Sequence, residues 1–401
     1  MSASGSGNRL AIAGLSVIAG PQPGRSRRML TAEAARRAIA DAGLEPAAID
    51  GAVELRGSPG GGDRAGYTDT FPRMLGLPVN FYFTIGRGGA LASLGIAAAA
   101  SFLDRGIASY VCLASANDTG SRARLAKQQG HRGRPHDLEK EGYWGKPLGD
   151  LRAVSHHSWM AARHMKEYGT TSRQLGSIAV QTRAWANRNA EAQMHAKTMT
   201  IEDHQRSPVI VDPYHLFDVS LTSDSAIAFI LTTQERAADL PRPPVQVLGQ
   251  GFGEIAAELW WEKKNYTHMA VPRARDAAFG QAGITLGDVD AAMLYDCFTA
   301  EVLFQLEDYG WCKKGEGGPF AASGAIGPGG PIPVNTSGGL LSAYHHEDLT
   351  GFAEAVRQLR GEADGRQLDG CRTVLFSSHG GEMLSPGMCS IHATTVLGTG
   401  R

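Results

Sequence analysis

The sequence predicts a layered α/β protein built from two copies of one unit. Three observations carry this. Glycines number 51 among 401 residues while aromatics make up only 7%. Small side chains let helices sit close on strands, which suits α/β layers better than a β-sandwich. Residues 31–55 (TAEAARRAIADAGLEPAAIDGAVEL) and 273–295 (RARDAAFGQAGITLGDVDAAMLY) share one plan: an Ala-rich helix, Ala-Gly, a polar link, Asp, then an apolar strand. Gly43 to Asp50 and Gly283 to Asp290 are the same seven steps. The third observation is that residues 86–115 and 336–378 follow these units in the same order. Each has a Gly-Gly step, a small-residue helix, a Gly near its end and a strand.

Each element follows from local chemistry. Gly43 and Gly283 suit helix C-caps, where the left-handed backbone costs little without a Cβ. Val111–Leu113 and Thr373–Phe376 are β-rich and read as strands. Residues 119–150 are polar and basic (Arg122, Arg124, Lys127, Arg132, Arg134) without a period, and read as an inserted loop. Residues 154–190 read as two helices, the second capped by Thr171 or Ser172. Residues 216–232 read as a loop and a buried strand closing the first half. Pro241–Pro244 reads as the linker. The expected division is 1–240, with a loop domain at about 119–215, and 241–401.

Composition excludes several classes. Lys plus Arg (39) balances Asp plus Glu (40), so no cationic field points to nucleic acid. No apolar run of about 18 residues predicts a membrane span. No secretory leader pattern opens the chain. The cysteines (112, 297, 312, 371, 389) form no CxxC pair. This argues against a disulfide framework or a cysteine metal site, and for a reducing cytoplasm.

Four segments offer chemistry. Thr84–Ala90 opens a helix whose free N–H groups could hold an anion, or whose glycines simply allow close packing. Tyr295-Asp296-Cys297-Phe298 follows a strand. Asn335–Asp348 ends in Tyr344-His345-His346-Glu347-Asp348, which supplies every acid/base type; its histidines lack helical metal-ligand spacing, and no metal is expected. Ser377-Ser378-His379-Gly380-Gly381 places a histidine beside glycine N–H donors.

Taken in order, AIADAGLEPAAID, GYWGKPLG, TSDSAIAFIL, YDCFTAE and NTSGGLLSAYHHEDLTGFAEAVRQLRG resemble the thiolase superfamily over essentially the whole chain. The likeness is to sterol-carrier-protein-type thiolases and their lipid-transfer relatives. It implies a thiolase-like αβαβα fold of five layers from two pseudo-repeats, an inserted loop domain, a homodimer and an acyl-CoA substrate. The departures matter more. The family's nucleophilic Cys position is Gly89, which has neither thiol nor hydroxyl. The family's first site histidine is Tyr295, and its Gly-His-Pro reads Tyr344-His345-His346. The second family cysteine falls near Ser378 or His379.

This pattern is similar to the thiolase-like aldolases that shorten steroid side chains. Those cleave a β-hydroxyacyl-CoA to a ketone and propionyl-CoA, and work with a small OB-fold, zinc-ribbon partner. The resemblance implies Tyr295 and Tyr344 as an acid/base pair and His345 and His379 as their helpers. It also implies Gly89, Gly380 and Gly381 as backbone donors toward the thioester, and no cofactor beyond substrate CoA. Retro-aldol chemistry needs no acyl-enzyme, so losing the Cys is harmless to it. A tyrosine base needs help, because ionising a free phenol at pH 7 costs about 4 kcal/mol. The basic stretch 122–134 could meet CoA phosphates or the partner. Two other readings compete: a non-catalytic acyl-CoA or lipid-binding protein, and an acyltransferase using Cys297.

Overall fold

The computed structural model describes residues 10–56, 70–86, 88–129, 153–254, 266–380 and 391–399. The first half contains β1 (Leu10–Ala19), α1 (Arg27–Asp41), β2 (Gly51–Leu55), α2 (Phe71–Met74), β3 (Phe81–Ile85), α3 (Leu91–Asp104) and β4 (Val111–Asn117). A long excursion follows: α4 (Thr119–Gln128), α5 (Ala153–Tyr168), α6 (Ser172–Ala186), α7 (Ile201–Arg206), β5 (Val209–Val211) and β6 (Tyr214–His215). The chain returns through β7 (Ser225–Thr233) and α8 (Gln234–Ala237). The second half has β8 (Val245–Glu254), α9 (Val271–Ala282), β9 (Ala291–Met293), α10 (Thr299–Tyr309) and α11 (Gly317–Ala322). It ends with α12 (Leu349–Arg360), β10 (Thr373–Gly380) and β11 (Ile391–Thr399).

The sheet order is β3-β2-β4-β7-β1-β8-β11-β10-β9. Outward from the β1/β8 seam, both halves repeat one pattern. An antiparallel neighbour comes first (β7 or β11), then another (β4 or β10), then a parallel one (β2 or β9). The seam itself is short, with Leu10, Ala11 and Ile12 opposite Val247, Gln246 and Val245. Gly43 and Gly283 end the matching helices with φ of 70° and 67°, as a C-capping glycine should.

Side chains alternate across each strand and so build separate cores. Cys112, Ala114, Ala228 and Ile230 face outward, where Ala34, Ala35 and Ala38 of α1 cover them. Leu113, Phe229 and Phe376 face inward and meet Phe352 and Val356 of α12 and Leu91 and Ile96 of α3. On the far side, Leu375 and Val396 pack under Ala278 of α9 and Phe304 of α10. The two halves of this continuous sheet thus flank the central helices and carry outer helices, giving the five layers expected. Each fully buried large apolar side chain contributes about 1.5–3 kcal/mol.

Close approach fixes α9 on β8. A Cβ on Gly249 would lie 2.1 Å from the Ala278 carbonyl, and one on Gly251 2.0 Å from that of Ala274.

The two helices expected over 154–190 are α5 and α6, and Thr171 caps α6 in a capping box with Gln174. The stretch expected as a loop from residue 119 instead begins with α4. Arg122 pairs with Asp118 at 3.0 Å and Arg124 with buried Asp224 at 2.5 Å, so both guanidinium groups are engaged by the chain itself. Arg132, Arg134 and the GYWGKPLG stretch lie outside the described residues. Helices α5 and α6 cross over to pack on α10 of the second half. Among the described residues, no helix is long and apolar enough to cross a membrane.

Candidate active site

Two segments of the second half are tied together by one buried carboxyl. Asp296, just past β9, accepts hydrogen bonds from the Leu340 and Leu341 amides at 2.9 and 3.4 Å. A Cβ on Gly339 would lie 2.0 Å from its Oδ2, so only glycine fits there. Burial raises the Asp296 pKa to about 7 against these donors. This clamp holds Tyr295 beside the segment 344–348.

That segment is extended at its start, where Tyr344 has φ −162° and ψ 153°. Its burial alternates: Tyr344, His346 and Asp348 are buried, while His345 and Glu347 are half-buried. The buried members point to the centre of the molecule. Tyr344 packs with Phe352, Ala353 and Val356 in the central core, and burial pushes its phenol well above the usual range. His346 is wedged between the Ser225 and Ser115 hydroxyls, each at 2.9 Å, and burial lowers its pKa to about 3. Asp348 accepts from the Leu91 and Ala92 amides at 3.0 Å each.

Tyr295 belongs to the other core, and its hydroxyl donates to Glu347 Oε2 at 2.8 Å. The expected tyrosine pair is not brought together in this structure. The two phenols lie in different cores, because neighbours in an extended segment face opposite ways and Tyr344 takes the side away from His345. A role for Tyr344 in proton transfer requires its ring to leave the central core.

The His379 ring meets the Tyr295 ring edge-on at 4.5 Å. Behind it, Glu301 of α10 bridges two histidines: Oε2 lies 3.5 Å from His379 Nε2, and Oε1 is in short contact with His157 Nδ1. All three side chains are buried, and His157 comes from α5 of the excursion. A second polar branch runs alongside. Ser377 donates to Gln305, and His392 Nε2 lies 3.1 Å from the Tyr309 hydroxyl. Burial first, then the neighbouring His379, lowers the His392 pKa to about 3.

His345 Nδ1 lies 3.2 Å from both the Leu221 carbonyl and the Ser220 hydroxyl. A carbonyl partner makes Nδ1 the protonated nitrogen. The neutral ring then carries a lone pair at Nε2, and it donates to an oxyanion only as imidazolium.

The glycine step is not the open anion site considered from sequence. The first amides of α3 are taken by Asp348, whose pKa burial raises to about 7, with the adjacent Glu347 charge adding to it. Gly89 has φ 77°, and a Cβ there would lie 1.8 Å from the His379 carbonyl. A Cβ on Gly380 would lie 1.6 Å from the Gly88 carbonyl. These glycines permit two backbones to touch, and Gly380 also pairs with Ile391 in the sheet. Gly381 lies outside the described residues.

Glu301 and His157 escape sequence reasoning. Glu301 sits in the first turn of α10, where an acid reads as a complement to the helix dipole. His157 is far away in the chain. Glu347 was legible only as one of the two acids in the 344–348 cluster, not as the partner of Tyr295. Cys297, the nucleophile of the acyltransferase reading, is buried in the second core.

Comparisons with known proteins give the family. Residues 255–399 match the thiolase C-terminal domain-like family. The chain is 34% identical over 344 residues to a steroid side-chain-cleaving aldolase of Thermomonospora curvata, covering 84% of this chain and 86% of that one. It is 34% identical over 354 residues to the 17-hydroxy-3-oxo-4-pregnene-20-carboxyl-CoA lyase of Mycobacterium tuberculosis, covering 84% and 88%. A solved structure, the Ltp2-ChsH2(DUF35) aldolase, superposes with a TM-score of 0.84 at 32% identity and covers 98% of each chain. Sequence and fold thus converge, and the chain belongs to the thiolase superfamily, in the sterol-carrier-protein-type branch that holds the steroid side-chain-cleaving aldolases.

Proposed function

We propose that this lyase of thiolase fold cleaves a β-hydroxyacyl-CoA, a steroid side-chain CoA thioester, by retro-aldol chemistry to a ketone and a short acyl-CoA such as propionyl-CoA. The observation that carries this reading is the closure at Gly89. Where acyl transfer needs a nucleophile, the His379 carbonyl stands against a glycine. Covalent capture has no place there, while a retro-aldol step needs only proton transfer and enolate stabilisation. The names of the similar proteins, an aldolase and a CoA lyase, support it.

Tyr295 is the acid/base residue, with its ring against His379 and its hydroxyl held by Glu347. The β-hydroxyl gives up its proton, the Cα–Cβ bond breaks, and the electron pair moves into the thioester as an enolate. Preorganised donors toward an oxyanion of this kind are each worth about 3–4 kcal/mol when lost. His345, whose Nε2 donates only when Nδ1 and Nε2 both carry protons, is the candidate donor. A partner protein of the OB-fold, zinc-ribbon type and a homodimer complete the proposed assembly; the two-component name of the solved relative supports the partner.

The test is to co-express the chain with a candidate partner and assay release of ketone and acyl-CoA from a β-hydroxyacyl-CoA. Wild type and Cys297→Ser should cleave, and Tyr295→Phe should not. Cleavage that survives Tyr295→Phe, or is lost in Cys297→Ser with the fold intact, overturns the reading.

A further inference from the structure

We infer that Glu347 is the proton acceptor of Tyr295, a positioning residue through which one phenol serves as both base and acid. This rests on the aldolase reading above.

The geometry starts with the hydrogen bond. The Tyr295 hydroxyl donates to Glu347 Oε2 at 2.8 Å, from a phenol that is otherwise inside the second core. Glu347 reaches it through an uncommon backbone. Its φ is 50°, in the left-handed region that asparagine and aspartate enter far more readily than glutamate. Such a conformation persists only when its surroundings hold it, and it is concentrated at functional sites. Here both neighbours are pinned: His346 between two serines, Asp348 on the start of α3. The carboxylate is thereby turned away from the central core and toward Tyr295.

The arrangement answers the energetic difficulty of a tyrosine base. A free phenolate at pH 7 costs about 4 kcal/mol. With a carboxylate already bonded to the hydroxyl, Tyr295 passes its own proton to Glu347 while taking the substrate's, and never stands alone as an anion. The balance closes. The substrate O–H bond breaks and a Tyr295 O–H bond forms; the old Tyr295 O–H bond breaks and a Glu347 O–H bond forms. The Cα–Cβ bond breaks, the hydroxyl carbon becomes a ketone, and the pair enters the enolate. Reversal of the relay returns the proton from Glu347 through Tyr295 to Cα, so no second acid is required. Among the described residues, the titratable groups that meet Tyr295 or its ring partner are Glu347 from the segment before α12, Asp296 next in the chain, His379 on β10, and Glu301 and His157 behind it.

The experiment compares wild type with Glu347→Gln and Glu347→Asp, in complex with the partner. Glu347→Gln keeps the side-chain shape but cannot take a proton. It should lower kcat by about 10²–10⁴-fold with KM little changed. The wild-type profile should fall toward acid pH as the acceptor is protonated; that limb should vanish in Glu347→Gln and return in Glu347→Asp. The ring resonance of Tyr295, assigned by its loss in Tyr295→Phe, should titrate at lower pH in Glu347→Gln, since a negative neighbour is gone. Wild-type cleavage with Glu347→Gln inside threefold of it, or a loss with an unaltered pH limb, overturns the inference alone. Absence of cleavage in wild type refutes the aldolase reading and the relay with it.

Discussion

At the scale of single residues, orientation decides more than identity. Tyr344 and His345 are neighbours in sequence, and both belong to acid/base chemistry by type. The backbone is extended there, so one of them must face away, and it is Tyr344. The cluster of acid/base types was legible in the sequence, but which side chains face Tyr295 was not, because that depends on β9 and α10, which lie well upstream in the chain. The geometry expects Tyr295→Phe to be more damaging to cleavage than Tyr344→Phe, read as kcat of the partner complex. Gly89 teaches the same lesson. The missing thiol was readable from sequence, yet the site is filled rather than vacant: the His379 carbonyl occupies it. Gly89→Ala should lose about 2–5 kcal/mol from the positive φ and the overpacking together, measured by denaturant unfolding. A variant as stable as wild type would show that the two backbones can part.

At the scale of elements, the repeated helices were legible because alanine stripes and terminal glycines are local signals. The strand glycines were not, since their reason is a neighbour distant in the chain. Gly251 lies under α9, where an added Cβ would meet the Ala274 carbonyl at 2.0 Å, whereas Gly280 on α9 has nothing within 4 Å. Gly280→Ala should therefore stabilise the protein by about 1 kcal/mol through helix propensity, and Gly251→Ala should destabilise it. Thermal unfolding of both variants separates the two cases. The start of α3 carries a pH signature. Asp348 moves from 3.8 to about 7 in the folded state. A raised acid pKa means the native state holds a proton that the unfolded state has released. The contribution is fully present below the unfolded value and is lost as pH rises through the folded one. His346 and His392, lowered from 6.5 to about 3, act the opposite way and lose stability as pH falls. Relative to wild type, Asp348→Asn should gain stability with rising pH by about 1.4 kcal/mol per unit between about pH 4 and 7. Parallel urea curves at three pH values check this, and identical slopes for the two proteins would reject it.

At the scale of the molecule, the duplication organises the sheet while the excursion between β4 and β7 breaks its symmetry. That excursion brings His157 across to Glu301, so a first-half segment helps build a second-half site. Spacing in the sequence could show the repeat but not this crossing. The placement of β1 carries a consequence for synthesis. Leu10 pairs with Thr233 on one side and Val247 on the other, so β1 lies mid-sheet with partners that are made much later in the chain. Pairings of such separation form slowly. On the ribosome, β1 must wait with both edges bare until β7 and β8 have been translated, an interval in which chaperone shielding matters most.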